Sequence, residues 1–195
     1  MNRSFQQRIL EAAHKVFIEN GYRQSDMRSI AREAGIAVGT IYNYYPNKAV
    51  LYQEILTGQW SELEQAIFRM TCDRELEPLL RLHNITDCLL KFVSQHSSFW
   101  REIMEDSKRE AELPDEGHRA QIQAFEQLKK HLRRLFSEMV TDDSAWIERH
   151  VLTYIAAVTH IGVFFPDQLD MNREYVTELV QHIVQLTEKK NCDTI

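Results

Sequence analysis

The chain has 195 residues, 44% hydrophobic and 27% charged, a globular composition with ample length for a buried core. Its six glycines and four prolines exclude collagen-like and Gly/Pro-rich disordered chains and disfavour turn-rich sandwiches and barrels. The net charge of −6 is uneven: residues 1–48 hold seven basic and four acidic side chains, a net +3, while the remainder holds 16 basic and 25 acidic, a net −9, the asymmetry of a chain whose head alone meets an anionic partner.

The pattern is helical almost throughout. Phe5, Ile9, Ala13, Val16 and Phe17 form one apolar face, and Asn20-Gly21 stops that helix with glycine in the left-handed position. Ser25 or Asp26 caps a short helix, MRSIAREA, which Gly35 ends. A third short helix spans about Val38 to Tyr44. Pro46-Asn47 then breaks the chain, with Asn47 as the next cap. A long helix runs from Lys48 to about Met70, striped by Leu56, Trp60, Leu63, Ile67 and Met70. Further helices are expected at about 84–95, 97–110 and 118–140, with the acidic stretch EAELPDEG (110–117) as a loop. Asp142-Asp143-Ser144 caps a helix to Phe165, ended by Pro166, and the last helix covers about 172–190. No useful β-alternation occurs, so the expectation is an all-α fold of about nine helices.

The longest nearly apolar run, Val151 to Phe165, is interrupted by Thr153, Thr159 and His160 and is too short and polar to span a bilayer. The opening MNRSFQQRIL has no apolar region of the secretory type. Cys72, Cys88 and Cys192 match no metal spacing. These features point to a cytoplasmic protein.

The informative segment is 25–48, SDMRSIAREAGIAVGTIYNYYPNK. Its logic is helix–turn–helix. Met27, Ile30, Ala31 and Ala34 face inward, Gly35 permits the sharp turn, and Ile36 and Ile41 plug the same small core. The second helix then presents Val38, Gly39, Thr40, Asn43 and Tyr44 outward. Val38 and Gly39 let backbone approach base edges, and Thr40 and Asn43 can hydrogen-bond bases or phosphates. Tyr42 and Tyr44 carry hydroxyls to phosphate reach, and Lys48 with the following amides forms a further phosphate site.

Over about residues 5–56 the chain resembles the DNA-binding head of the tetracycline-repressor (TetR) family. The resemblance rests on Gly21-Tyr22, Ser25, Ile30-Ala31, Ala34-Gly35-Ile36, Gly39-Thr40-Ile41-Tyr42, Tyr44-Tyr45 and Lys48. It implies a helix–turn–helix DNA-binding domain over 1–47 and a helical ligand-binding and dimerisation domain over 48–195. It implies a homodimeric regulator, usually a repressor, that binds a palindromic operator on double-stranded DNA and is released by a small ligand. By position, Val38, Gly39, Thr40 and Asn43 would face bases. Tyr42, Tyr44, Lys48 and the helix start from Ser25 to Arg28 would hold the backbone, with Ile41 and Tyr45 in the core. Two residues depart from the family pattern. Ala37 deprives the recognition helix of a side-chain cap, and Asp26 sets a carboxylate near phosphate.

In the body, the helix of about 144–165 is apolar nearly all round, and the helix of about 172–188 shares this feature at Val176, Val180 and Ile183. Both are expected to pair with a second copy, with Ala156, Ala157 and Gly162 permitting close approach. Trp60, Phe68, Phe92, Phe99, Trp100, Met104 and Phe125 are candidate walls of a pocket for an apolar effector. The alternatives are a helical protein-binding module and a helical metalloenzyme. The single Glu11-x-x-His14 falls short of a di-iron set, and no catalytic constellation or phosphate loop occurs. No catalytic residue, metal, cofactor or membrane partner is therefore expected.

Overall fold

The computed structural model describes residues 4–105, 115–140 and 144–192. These residues form nine helices and no strand: α1 (Phe5–Gln24), α2 (Met27–Ala34), α3 (Val38–Tyr42), α4 (Lys48–Cys72), α5 (Pro78–Gln95), α6 (Ser97–Glu105), α7 (Asp115–Met139), α8 (Ser144–Phe164) and α9 (Leu169–Cys192). The chain divides into two compact units. One comprises Met1–Ser61 with Ser98–Gln121, the other Glu62–Ser97 with Ile122–Ile195.

The first unit is built on α1. Ile9, Ala13, Val16 and Phe17 are buried along its inner face, with Ile30 and Ala31 of α2, Ile41 of α3, and Leu51 and Tyr52 of α4. An aromatic cluster completes this core. The Tyr52 ring lies 4.8 Å from Phe17, 4.9 Å from Tyr22 and 4.3 Å from Phe99 of α6. Such ring pairs add specific edge-to-face attraction to their buried area.

Several expectations are refined here. Gly21 does take positive φ (74°), but with an extended ψ of 164° and not the left-handed helical pair. Gly21 breaks the helical run, α1 continues to Gln24, and the Tyr22 ring sits in the cluster. Gly35 does adopt the left-handed conformation, φ 64° and ψ 39°. α3 ends at Tyr42, because the N–H groups of Tyr44 and Tyr45 both return to the Ile41 carbonyl at 2.9 Å. Asn43 and Tyr44 thus stand on the turn after α3.

In the second unit α5, α8 and α9 pack against one another. Leu82, Ile85, Leu90, Val151, Tyr154, Val158, Val176 and Val180 are all buried. The Thr86 hydroxyl donates to the Leu82 carbonyl at 2.8 Å and meets the Tyr154 hydroxyl at 2.8 Å. With its one proton committed, Thr86 must accept, so the Tyr154 phenol donates.

α5 begins six residues before the expected start, with Pro78 in the first turn, where its missing N–H costs nothing. Asp115 to Gly117, expected in a loop, belong to α7; acidic residues are favoured at a helix start. The remainder of that loop, the end of the helix expected at 97–110, and Asp142 and Asp143 lie outside the described residues. α9 starts at Leu169. Asn172 is buried, and its amide reaches back to the Phe165 carbonyl at 2.7 Å.

The apolar positions expected to seek a second copy divide differently. Val176, Val180 and Ile183 are buried within this chain, and Gly162 packs against Val93 of α5. Ala156, of the positions expected to permit close approach, is exposed, together with Trp146, Leu152, Phe164, Phe165, Met171 and Tyr175. Among the described residues no helix is long and apolar enough to cross a membrane.

Candidate nucleic-acid interface

The helix–turn–helix forms from strong local signals. Asp26, in extended conformation, accepts the Ser29 N–H on its carboxylate at 2.7 Å, and the Ser29 hydroxyl answers the Asp26 N–H at 3.3 Å. This reciprocal box fixes the start of α2. The Ser29 backbone bond, then its hydroxyl, hold the Asp26 carboxyl below its usual range. Ser25 turns inward: it is 4% exposed and its hydroxyl donates to the Gly21 carbonyl at 2.6 Å. At the other end of α2, Arg8 donates to the Ala34 carbonyl at 2.7 Å.

Ile41 and Tyr45 pin α3 from beneath, at 0% and 2% exposure. Ala37 offers no side-chain bond to the first turn. The opposite surface presents Val38, Gly39, Tyr42, Asn43 and Tyr44 as exposed residues, with Thr40 half-buried. Gly39 is informative. A Cβ built there would meet nothing within 4 Å, and positive φ among the described residues is confined to Gly21 and Gly35. Neither packing nor backbone geometry requires this glycine, although glycine is a poor helix former.

The head's cations divide by contact. Arg8 is engaged with the end of α2, and Lys15 pairs with Glu33 at 2.6 Å. Lys48 donates to the carbonyls of Tyr22 at 2.7 Å and Ser25 at 3.0 Å, with its ammonium 4.2 Å from the Tyr22 ring centroid. Arg23, Arg28 and Arg32 are exposed. Arg28 and Arg32 line an open groove together with Asn20, Gln24, Asp26 and Ser29. Of these lining residues Asp26 and Arg28 belong to the helix start expected at the site. The signal for Arg32 was its spacing of four from Arg28, one helical turn on.

The candidate pocket walls fall in both units. Trp60 and Trp100, both half-buried, belong to the first; Phe92, half-buried, and Phe125, 39% exposed, belong to the second. The Met104 side chain lies outside the description. Phe99 is core, at 2% exposure, while Phe68 is 51% exposed. Trp100 Nε1 is buried with no hydrogen-bond partner among the described residues. His14 meets the Gln59 amide nitrogen at 2.6 Å, and no group of three His, Cys, Asp or Glu among the described residues is placed to hold a metal.

Residues 9–55 match the family of bacterial regulatory proteins described as the tetR family. The fatty acid metabolism regulator protein of Bacillus subtilis is 46% identical over 66 residues, 33% of this chain and 32% of its own length. The chain spans from about a third to about half of the length of the curated relatives it matches. A TetR-like transcriptional regulator from Rhodococcus sp. RHA1 superposes with a TM-score of 0.66 at 18% identity, covering 95% of this chain and 98% of that one. The fatty acid degradation regulator FadR from Bacillus halodurans gives 0.63 at 18% identity, covering 96% of each chain. These two likenesses establish the shared all-helical fold.

Proposed function

We propose, from the match of residues 9–55 to the tetR family of bacterial regulatory proteins, that this chain is a homodimeric repressor that binds a palindromic operator and is released by a small apolar ligand. The carrying observation is the outer surface of α3. It offers a glycine that the fold does not need, flanked by exposed Val38, Tyr42, Asn43 and Tyr44. A missing side chain in open space is explained when another backbone or a base edge comes to occupy that space.

In this reading Val38, Gly39, Thr40 and Asn43 face base edges in the major groove, and Tyr42 and Tyr44 reach phosphates. Arg28 and Arg32 supply the charge, in a groove whose Asn20, Gln24 and Ser29 can also hydrogen-bond an anion. Pairing through the exposed faces of α8 and α9, at Leu152, Phe164, Met171 and Tyr175, gives the two-fold axis that a palindrome requires. The two recognition helices then lie about 34–36 Å apart.

The effector is taken to be apolar because a similar protein is named a fatty acid metabolism regulator. Trp100 Nε1, which has no hydrogen-bond partner among the described residues, would donate to its polar end.

Selection from a random duplex library with the purified chain at two salt concentrations tests the reading. One enriched palindrome, with enrichment fading at high salt, is the expected result. No enrichment from a chain stripped of bound small molecules would overturn it.

A further inference from the structure

Resting on the DNA-binding reading above, we infer that Lys48 is a positioning residue, a clasp that joins the two ends of the helix–turn–helix, and not a phosphate contact. The segment that holds α2, α3 and their turns begins after Ser25 and ends at Lys48. The Lys48 ammonium closes it, donating to the Ser25 carbonyl at 3.0 Å and the Tyr22 carbonyl at 2.7 Å. It also lies over the Tyr22 ring, 4.2 Å from the centroid. Charge-assisted bonds to carbonyls and a cation–π contact together fix an ammonium's place.

The anchor is itself rigid. Ser25 is buried, with its hydroxyl on the Gly21 carbonyl. The Tyr22 ring is 4.9 Å from both Tyr52 and Phe99, and the Tyr22 N–H reaches the Ser98 hydroxyl at 3.4 Å. The recognition helix between the clasped ends needs this support. It has five residues and no side-chain cap, far below the length at which a helix persists alone. Ile41 and Tyr45 hold it from beneath, and the clasp fixes where its flanks begin and end. Exposed Arg23, Arg28 and Arg32, not Lys48, then carry the phosphate charge.

The test replaces Lys48 in the full chain by methionine, which keeps the length of the side chain and removes the ammonium. Binding is titrated at several salt concentrations against the selected palindrome and a scrambled duplex of equal length. A clasp predicts a loss of about tenfold or more on the palindrome, the size of a lost base contact. It predicts less than about a twofold change on the scrambled duplex and an unaltered salt slope. Equal losses on both duplexes, with the slope reduced by about 1, would mean a phosphate contact and overturn the inference, as would unchanged binding to both. If the wild-type chain itself fails to discriminate between duplexes, the DNA-binding reading fails instead. Amide exchange then decides the clasp independently. Acceleration by about tenfold in residues 27–42, with α5 and α8 unchanged, supports it; unchanged exchange there overturns it.

Discussion

Gly162 of α8 and Val93 of α5 approach so closely that a Cβ on the glycine would lie 2.8 Å from a valine methyl carbon. The glycine sets the spacing of the two helices. Gly162→Ala must push α8 away or force Val93 from its rotamer, a cost of about 1–3 kcal/mol. Gly58, inside α4, is the opposite case: an added Cβ meets nothing within 4 Å. Gly58→Ala is expected to stabilise by about 0.5–1 kcal/mol. Thermal unfolding separates the two. Tm falls for the first and rises for the second, by about 2–4 °C per kcal/mol in a chain of this size.

A second prediction concerns Arg81, which is 2% exposed, donates to the Thr71 carbonyl at 2.8 Å and pairs with Glu138. Glu138→Leu leaves the guanidinium buried without its counter-charge and is expected to cost about 3–5 kcal/mol. The double variant Arg81→Met/Glu138→Leu removes both charges and should recover most of that loss. Urea unfolding of the wild type, both single variants and the double variant measures the coupling. Simple additivity of the two single losses would contradict this account.

Asp26 links stability to pH and to DNA. Its carboxyl lies below its usual range because Ser29 donates to the ionised form. A depressed carboxyl contributes its stability above the unfolded value of about 3.9 and loses it as pH falls through the lower folded value. The cap therefore holds at neutral pH and is released only in strong acid. Asp26→Asn keeps the capping oxygen and should leave Tm at neutral pH nearly unchanged. It removes an anion from a groove that also holds Arg28 and Arg32. Affinity for duplex DNA should rise, most at low salt, as fluorescence anisotropy would show.

Gly39→Ala is predicted to do the reverse. The fold has room for the methyl, and alanine is the better helix former by up to about 1 kcal/mol, so Tm should hold or rise. Binding to the selected palindrome should weaken by about 1–3 kcal/mol, the value of a good base contact. A variant that binds as the wild type does would remove the main support for close backbone approach at α3.

The head was legible in the sequence because its punctuation is local. Ser25 or Asp26 before MRSIAREA, Gly35 after it, and Asn47 after proline each announce a boundary through backbone chemistry. Gly35 and Asn47 act as read, Asn47 accepting the Val50 N–H at 2.8 Å, and of the two cap candidates Asp26 is the one that caps α2. Less legible were features set by partners distant in sequence. Gly162 reads as a small residue for a close helix contact, but the identity of its neighbour, Val93 or a second copy, is not a local property. Lys48 stands at a helix start, where a free ammonium suits phosphate, and the carbonyls that take it belong to residues 23 and 26 positions earlier. The candidate pocket walls were the least legible, since an aromatic at helical spacing looks the same whether it fills a core, as Phe99 does, or stands exposed, as Phe68 does.

Phe99 also has a consequence for the order in which this protein becomes itself. The rings of Tyr22 and Tyr52 are complete as a cluster only with a residue that follows them by dozens of positions. During synthesis the chain emerges from its N-terminus. The first sixty residues therefore leave the ribosome with Phe17, Tyr22 and Tyr52 still lacking the Phe99 ring, which arrives only after α5 and the start of α6 have followed. A nascent chain therefore cannot complete the aromatic core of its first unit before residues 62–97 of its second unit have been made.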